Sequence, residues 1–244
     1  MDRAISVEEL IKGEADRLGV TRMCHLTPLR NLLHIASGEG LLSVAQLEDE
    51  RAIFDQQDLD RFDNHPDLIS CSIEYPNVWY LRKRRKEATP LQRLFPEWVC
   101  LLIDRKYLWQ PSTEFCPRNA AASSGTLLRP GYEAFCELYA DHVSGAQGIS
   151  RGRNAKPQSC PTDDQAEVMI HRHIPLEDAN TIVFADEEQA TNNLGALRLL
   201  GVPIENLNFL ICPTFFEIAL SSLLRSGRTP TEVAWTPSEG DGAI

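Results

Sequence analysis

One continuous apolar segment, from Trp98 to Asp104, constrains the fold of this chain most strongly. It reads Trp-Val-Cys-Leu-Leu-Ile-Asp, and it has neither the alternation of a half-exposed strand nor the length of an ordinary helix. Such a run is typical of a strand that is covered on both faces. The sequence therefore predicts a buried strand at this position.

The other elements are predicted from alternating or helically spaced apolar residues. The chain contains no Gly-x-Gly-x-x-Gly and no Walker loop, and its strands and helices follow no regular βαβ order, which favours the α+β class over a Rossmann or P-loop fold. Long loops rich in small and polar residues are expected over 110–130 and 144–164. The predicted helices cover 6–18, 28–38, 44–61, 131–142, 186–200 and 214–225, and the predicted strands cover 23–27, 67–74, 98–104, 165–171, 181–184 and 208–212.

The composition limits the class of protein. A chain of 244 residues with 43% apolar residues suffices for one packed domain with appendages, and a net charge of −11 argues against a broadly basic nucleic-acid binder. No apolar run reaches the length of a membrane span, and the N-terminus opens a mixed-charge helix and not a signal peptide, so a cytoplasmic protein without membrane contact is expected. The seven cysteines are scattered without a Cys-x-x-Cys, which favours buried thiols over a metal site.

Charge is distributed unevenly along the chain. Acidic residues dominate over 48–67, whereas five cations follow one another over 82–86. A local basic patch can bind a polyanion even on an acidic protein, but a solvated loop explains the same pattern. A smaller basic group lies in the predicted loop 144–164, at Arg151, Arg153 and Lys156.

Glu167 is the first candidate for chemistry, because apolar and polar residues alternate around it in the predicted strand 165–171. We expect one set of side chains to face the core and the other to face the opposite side. The core-facing set is Ala166, Val168 and Ile170, and the opposite set is Gln165, Glu167, Met169 and His171. This arrangement suits a carboxylate projected into a cleft beside an amide, although an edge strand with a solvated outer face would give the same pattern.

Several short segments stand in a specific order along the chain. They are His25-Leu26-Thr27 followed by Asn31 and Gly40-Leu41-Leu42-Ser43, then Arg61-Phe62-Asp63, then Ser70 to Asn77, and finally Asp164 to Val168. Together with the segments 98–104 and 115–121, they resemble the DarT family of ADP-ribosyltransferases, toxins that modify nucleic acid using NAD. The resemblance covers residues 20–200 approximately and depends on the order of the motifs more than on any one of them.

The resemblance implies an ADP-ribosyltransferase-like α+β fold, in which a mixed central sheet is flanked by helices. It implies that NAD is a substrate and that ADP-ribose is transferred to a nucleobase of single-stranded nucleic acid, DNA being favoured, with release of nicotinamide. Cleavage of the bond between nicotinamide and ribose C1′ makes the sugar oxocarbenium-like, and a nearby carboxylate stabilises that charge. Glu167 matches the family's catalytic glutamate, which also removes the proton from the attacking base nitrogen, and Arg61 matches its essential arginine.

The resemblance also implies a set of residues that bind NAD. Three of these residues have another interpretation when they are considered alone. His25 could be a half-buried core histidine, Arg61 could form a surface ion pair with Asp58 or Asp60, and Tyr75 could be a core aromatic residue. Arg51 is the rival of Arg61 on the same segment. The matching positions are His25, Thr27, Asn31, Gly40, Arg61 and Tyr75.

The loop 144–164 takes the position of the family's target-recognition loop, directly ahead of the catalytic strand. Arg151, Arg153 and Lys156 are therefore expected to contact phosphates of the nucleic acid. Gln165 is expected to help select the acceptor base.

Three segments and one partner are expected from these considerations. Residues 1–205 form the predicted catalytic domain, 206–226 a C-terminal strand and helix packed on it, and 227–244 a disordered tail. The resemblance implies a toxin of a toxin–antitoxin or anti-phage defence system, whose antitoxin is a macrodomain hydrolase or a binding protein. The alternatives are an mRNA-modifying enzyme of the same fold, a transferase acting on protein, and an inactive relative that binds nucleic acid or a partner.

Overall fold

A computed structural model describes residues 5–49, 65–94, 96–144 and 149–237 of the chain. Within these ranges the chain forms one large sheet, two small two-stranded sheets and helices that cover the large sheet. The α-helices are α1 (Val7–Leu18), α2 (Leu29–Ser37), α3 (Val44–Asp49), α4 (Val78–Glu87), α5 (Pro90–Leu94), α6 (Tyr132–Glu137), α7 (Glu187–Leu199) and α8 (Ala219–Arg225). The strands are β1 (Arg22–Pro28), β2 (Gly40–Leu42), β3 (Leu68–Ile73), β4 (Trp98–Asp104), β5 (Glu114–Cys116), β6 (Arg129–Pro130), β7 (His142–Ser144), β8 (Ser150–Gly152), β9 (Glu167–His171), β10 (His173–Pro175), β11 (Thr181–Phe184), β12 (Asn208–Ile211) and β13 (Val233–Trp235).

The large sheet has the strand order β13-β12-β11-β4-β1-β3-β9-β5-β6. Its described strand pairs are antiparallel, apart from the parallel pair of β11 and β12. β4 lies in the interior between β11 and β1, and Val99, Cys100 and Leu101 are fully buried there. The buried strand predicted from the apolar run is confirmed, and the sheet is mixed as expected.

The sheet is weakly joined at one place, between β1 and β3. β1 pairs with β4 along all seven of its residues, but with β3 only through Met23↔Ile73 and Cys24↔Ser72. Beyond Cys24 the two strands separate. The sheet therefore consists of a five-stranded part and a four-stranded part, and we call the unpaired stretch of β1 and β3 that begins at His25 the opening.

Helices cover both faces of the large sheet. The main core cluster packs α1, α2, α6 and α7 on one face, through residues such as Leu32, Phe135 and Leu194. The opposite face carries two smaller clusters, in which α4 contributes Val78 and Leu81. The other helical residues there are Phe215 and Phe216 of the 3-10 helix Pro213–Phe216, and Leu220 and Leu224 of α8. The longest of the described helices, α7, has 13 residues, so none of them has the length and apolar character needed to cross a bilayer.

Local sequence fixes the ends of the predicted helices. Ser6 caps α1 by accepting from the backbone N–H of Glu9, while the Glu9 side chain accepts from the backbone N–H of Ser6, which completes a capping box. Gly19 ends α1 with a φ of 72°, a left-handed conformation that glycine adopts at low cost. Asp186 caps α7 through the backbone N–H of Gln189.

The structure differs from the sequence-based expectation in two loops. The expected loop 110–130 contains β5 and β6, which extend the large sheet beyond β9, and the expected loop 144–164 contains β8, which pairs with β7. These strands have two or three residues each, too few to produce a periodic pattern. The expected surface helix 44–61 is described only as α3, and its remaining residues lie outside the described ranges.

The C-terminal segment also differs from the expectation of a disordered tail, because residues 227–237 are part of the fold. β13 pairs with β12, and Glu232 forms a two-pronged ion pair with Arg22 at the start of β1, with one contact of 2.6 Å. The Arg22 guanidinium packs beside the rings of Tyr75 and Phe215, at 5.4 Å and 5.6 Å from their centroids. Residues 238–244 lie outside the described ranges.

Removal of the Glu232 carboxylate tests this attachment. Glu232→Gln leaves Arg22 without its anionic partner in a site where both side chains are about one-fifth exposed. We expect a loss of about 2 kcal/mol in the free energy of unfolding, and a melting temperature lower by roughly 4–8 °C. Glu205→Gln, which removes the same charge from an exposed position, should leave the melting temperature unchanged, and equal melting of both variants would contradict the role of the ion pair.

Candidate active site

The Glu167 side chain is buried in the interior of the large sheet. β9 lies between β3 and β5, so it is not an edge strand, and Glu167 is only 9% exposed. Ala166, Val168 and Ile170 belong to the main core cluster as predicted, but Met169 on the other side is also fully buried. The alternative of an edge strand with a solvated face is therefore wrong.

The turn after β5 holds both oxygens of the Glu167 carboxylate. Pairing of Cys116 with Glu167 brings this turn beside the carboxylate. Asn119 Nδ2 donates to Oε1 at 3.0 Å, and the backbone N–H of Ala120 donates to Oε2 at 3.3 Å. Hydrogen bonds of this kind are what allow a carboxylate to be buried at an acceptable cost.

Asn119 is itself fixed in orientation. Its Oδ1 accepts from the backbone N–H of Ala122 at 3.1 Å and so caps the short 3-10 helix Ala120–Ser123. The amide can therefore present only its NH2 group to Glu167. No sequence pattern indicates this role, because Asn119 reaches Glu167 only through the pairing of β5 with β9.

Two thiols close to Glu167 remain protonated at neutral pH. Burial raises the pKa of Cys116 to about 11, and the nearby Glu167 carboxylate acts in the same direction. Burial, with Cys24 and Glu167, raises the pKa of Cys71 still further. These thiols add no negative charge beside the carboxylate, and six of the seven cysteines are buried, as the sequence predicted.

His25, Thr27 and Asn31 form a second polar group, at the opening between β1 and β3. His25 Nδ1 lies 2.9 Å from the carbonyl oxygen of Ser70 on β3, and since a carbonyl only accepts, Nδ1 carries the hydrogen. Thr27 is buried, and Asn31 Nδ2 donates to its Oγ1 at 3.2 Å. At Cys24, the last residue of β1 that pairs with β3, two strand spacings of about 10 Å in total separate the backbones of β1 and β9.

The sheet register also shows which face each group occupies. Residues that lie side by side on adjacent strands point to the same face, and they form a row across the sheet. One such row contains Cys24, Ser72 and Glu167, because Cys24 pairs with Ser72 and the next residue pair is Cys71 with Val168. His25 is the next residue after Cys24, so it points to the opposite face, where it lies beside the core residue Leu101. Glu167 and His25 therefore lie on opposite faces of the sheet.

Gly40 and Tyr75 have evident structural roles. Gly40 in β2 has a φ of 108°, and an added Cβ would lie 2.4 Å from the carbonyl oxygen of Ile174 on β10, so only glycine fits this close approach. The Tyr75 ring packs edge-on against Phe215 at 5.9 Å and beside Arg22. The structure thus places Tyr75 in an aromatic cluster at the end of β3.

Two of the three predicted phosphate-binding cations are used inside their own loop, which corrects the prediction. Arg153 donates to the carbonyl oxygens of Pro157, Gln158 and Cys160 and packs over the ring of Tyr139 at 5.5 Å. The Lys156 side chain is 2% exposed, bonds the carbonyls of Pro161 and Thr162, and pairs with Asp164. A sequence shows that a loop is basic, but not whether its cations face solvent or the loop's own carbonyls.

The other two predicted nucleic-acid contacts are Arg151 and Gln165. Both are half-buried, and in the part of the chain that the structure describes the Arg151 guanidinium makes no hydrogen bond or ion pair. The Gln165 backbone N–H donates to Asp163 Oδ1 at 2.9 Å, which fixes the turn into β9. Burial raises the pKa of Asp163, although Gln165 and Arg151 oppose that shift.

A small cavity lies beside β9, lined among others by Ser72, Val78, Cys160, Asp163 and Ala166. Its volume of about 20 Å³ is enough for one water molecule, and too small for a nucleobase. Arg61, its rival Arg51 and the partners Asp58 and Asp60 lie outside the described residues.

The arrangement supports a definite chemistry. A carboxylate whose two oxygens are fixed by donors keeps its position and charge, and it can stabilise a cationic centre or accept a proton. His25, Thr27 and Asn31 offer hydrogen-bonding groups across the opening.

Comparisons with known proteins support a specific relationship. Residues 24–210 match the family model described as ssDNA thymidine ADP-ribosyltransferase, DarT. Among curated proteins, none matches the sequence significantly. The fold is similar to Thermus sp. 2.9 DarT in complex with ADP-ribosylated ssDNA, at 14% identity and a TM-score of 0.56, covering 82% of this chain and 97% of that one.

Two further solved structures share the fold. Thermus sp. 2.9 DarT in complex with NAD+ has 14% identity and a TM-score of 0.55, with 81% of this chain and 98% of that chain covered. Thermosipho africanus DarTG in complex with ADP-ribose has 12% identity and a TM-score of 0.53, with 80% of this chain covered. This chain spans about half, 51%, of the Thermosipho chain.

The buried network around Asp164 yields a pH prediction. Burial by itself raises the pKa of Asp164, but Lys156, Ser221 and Arg225 outweigh burial and hold the pKa below its ordinary value of 3.8. Because the folded-state pKa is the lower one, the stabilisation is complete above the unfolded-state pKa and is lost as the pH falls through the folded-state value. We expect Asp164→Asn to lower the free energy of unfolding by about 3–5 kcal/mol at pH 7, since it leaves Lys156 buried without its anion.

Chemical denaturation between pH 7 and pH 3 measures this effect. The difference between wild type and Asp164→Asn should shrink below about pH 4. The neighbouring Asp163→Asn is the matched control, and because burial raises the pKa of Asp163, its charge opposes folding and the variant should be no less stable at pH 7. A constant difference for Asp164→Asn across the pH range would contradict the ion-pair account.

Proposed function

This chain belongs to the DarT family of single-stranded DNA thymidine ADP-ribosyltransferases, and we propose that it transfers ADP-ribose from NAD to a thymine base of single-stranded DNA, with Glu167 as the catalytic carboxylate. Family membership makes the chain an NAD-dependent ADP-ribosyltransferase that acts on nucleic acid, with NAD as its substrate. The observation that carries the assignment of Glu167 is its burial with both oxygens held by Asn119 and Ala120.

The proposed reaction has two bond changes and one proton transfer. The bond between ribose C1′ and the nicotinamide nitrogen breaks, and the electron pair leaves with nicotinamide. Thymine in DNA has one ring nitrogen that carries a hydrogen, N3, and this nitrogen forms the new bond to C1′. Glu167 stabilises the positive charge at C1′ and accepts the N3 proton.

We assign the NAD side of the site to the opening between β1 and β3. The ring of His25 and the Thr27–Asn31 pair supply hydrogen bonds to ribose or amide groups, and Tyr75 and Gly40 shape the surrounding backbone. The NAD pyrophosphate requires a forked donor, and Arg61, whose sequence context matches the family's essential arginine, is the proposed one.

We assign the DNA side to the loop that leads into β9. Arg151 and Gln165 are the proposed contacts, because Arg153 and Lys156 are engaged within the loop. Single-stranded DNA is the substrate that fits, since the Watson–Crick pairing of a duplex occupies the N3 of thymine. The family description also specifies thymidine in single-stranded DNA.

A biological role follows from this activity. Modification of DNA bases harms the cell that makes the enzyme, so a partner that blocks or reverses it is needed. We propose that the chain is the toxin of a toxin–antitoxin or anti-phage system, and that its antitoxin is a macrodomain hydrolase or a binding protein. A toxin role agrees with the likeness to a DarTG chain of about twice this length.

Replacement of Glu167 tests the proposed function. NAD labelled in its adenylate part is incubated with single-stranded oligonucleotides that contain one thymidine or none, and nicotinamide release and label on DNA are measured. Glu167→Gln keeps the shape and removes the charge, and should lower the rate at least about 100-fold. Glu114→Gln is the matched control, because Glu114 is a half-exposed carboxylate on the adjacent strand β5, opposite Met169, and it should retain the wild-type rate.

The same experiment identifies the class of molecule that accepts ADP-ribose. Duplex DNA, RNA and a protein pool are incubated in parallel with the single strands. Label on RNA or protein alone would contradict the choice of acceptor. A wild-type rate in Glu167→Gln would contradict the catalytic assignment.

Replacement of Asn119 tests how Glu167 is positioned. Asn119→Asp keeps the cap on Ala122 but replaces the donor to Glu167 by a negative charge. We expect a rate about 10- to 100-fold lower at pH 7, with little change in KM for NAD. Because a like charge raises the pKa of a carboxyl group, the acid limb of the pH–rate profile should also move to higher pH. Asn119→Ala adds no charge and should lower the rate with a smaller shift, whereas an unshifted profile in Asn119→Asp would contradict the contact.

A further inference from the structure

Helix α4 carries a stripe of cations and one tryptophan that the proposed chemistry does not use. Residues 82–86 are five consecutive cations, in a chain of net charge −11. Val78 and Leu81 are buried and attach the helix to the sheet. Positions 79, 82, 83 and 86 are spaced i, i+3, i+4 and i+7 and so lie along one side. We call Trp79, Arg82, Lys83 and Lys86 the α4 stripe.

The other cations of α4 have partners within the protein. Arg84 donates to Glu87 at 2.7 Å and lies 5.6 Å from the Tyr80 ring, and Arg85 donates to the carbonyl oxygen of Phe216 at 2.8 Å. Cations in the last turn also stabilise a helix through its dipole. These structural roles account for Arg84 and Arg85, and in part for Lys86.

These roles do not account for the α4 stripe as a whole. Arg82, Lys83 and Lys86 are exposed. Within the described ranges, the side chains of Lys83 and Lys86 make no hydrogen bond or ion pair, and the Arg82 guanidinium packs over the Trp79 ring at 5.8 Å. Trp79 is half-buried, with one part of its ring against the cluster of α4 and α8. Accessible cations next to an aromatic ring match the chemistry of single-strand binding, in which cations contact phosphates and aromatic rings stack on bases.

The first residue of α4 lies near the segment that carries Glu167. α4 covers the sheet face that carries Cys24, and the row from Cys24 through Ser72 leads to Glu167. Val78 lines the small cavity together with Ala166, the neighbour of Glu167, and packs against Cys160 of the loop that leads into β9. Trp79, the first residue of the stripe, follows Val78 directly.

We propose that the α4 stripe binds the sugar–phosphate backbone of the single-stranded DNA whose thymidine is presented to Glu167. This inference rests on the proposed function. From Trp79 to Lys86 the helix rises about 10 Å, which is the length of about three nucleotides at the spacing of one B-form strand. The stripe therefore contacts nucleotides that flank the target, irrespective of their sequence.

Salt dependence of binding tests the stripe. Binding of a fluorescent single-stranded oligonucleotide is measured without NAD, so that no modification occurs, between 50 mM and 200 mM salt. Each phosphate contact contributes about 0.7 to the slope of log affinity against log salt concentration, so K83Q/K86Q should reduce the slope by about 1.4. K12Q/R17Q removes two exposed cations from α1 and should keep the wild-type slope, while the melting temperatures of all three proteins are compared to verify folding.

The outcomes separate this inference from the proposed function. A wild-type slope in K83Q/K86Q, or an equal reduction in K12Q/R17Q, would overturn the stripe as the binding surface. Tighter binding of wild type to duplex DNA or RNA than to the single strand would overturn the choice of ligand. A reduced slope together with no thymidine modification by wild type would support the stripe and contradict the proposed function.

Trp79 offers a second, independent variant. Trp79→Leu removes the stacking surface but remains apolar toward the α4 and α8 cluster, and should weaken binding about 5-fold or more. Trp79→Phe keeps an aromatic face and should bind more tightly than Trp79→Leu. Equal affinity of both variants and wild type would show that no base stacks there.

Discussion

The structure depends on how it buries the carboxylate of Glu167. An ionised carboxylate inside a sheet is strongly destabilising unless donors satisfy it. β5 has only three residues, yet its pairing with β9 delivers the turn whose Asn119 side chain and Ala120 N–H bond the two oxygens. The adjacent thiols of Cys71 and Cys116 are protonated at neutral pH and do not repel it. The result is a fixed anion in a position from which water is largely excluded, which is the condition for stabilising a cationic transition state.

The second requirement is space for substrate in front of that anion. A continuous sheet would fill this space with paired backbone. Here β1 and β3 share only two residue pairs and then diverge, and His25 bonds the β3 carbonyl of Ser70 across the opening. The sheet is therefore fully paired around Glu167 and unpaired where we propose that the dinucleotide enters. The loop ahead of β9 is held by its own cations, Arg153 and Lys156, so the approach to Glu167 is also preorganised.

Sequence predicted those parts of the fold that depend on periodic or continuous apolar patterns. β4, β9 and helix α1 were found in this way, and the order of motifs identified the family. The rest depends on tertiary pairing that leaves no local signal. Asn119 is an ordinary loop residue until β5 pairs with β9, and Lys156 is an ordinary loop cation until its carbonyl partners surround it. The expected tail illustrates the same limit, because its polar composition hid the ion pair of Glu232 that attaches it.

The position of the ADP-ribose on the product tests the central claim most directly. A single-stranded oligonucleotide with one thymidine is incubated with NAD and the wild-type protein, and the product is analysed by tandem mass spectrometry and NMR. A carboxylate placed to stabilise C1′ and to accept the base proton predicts a bond from ribose C1′ to N3 of thymine. Attachment to a phosphate, to another base, or to the protein itself would contradict the account.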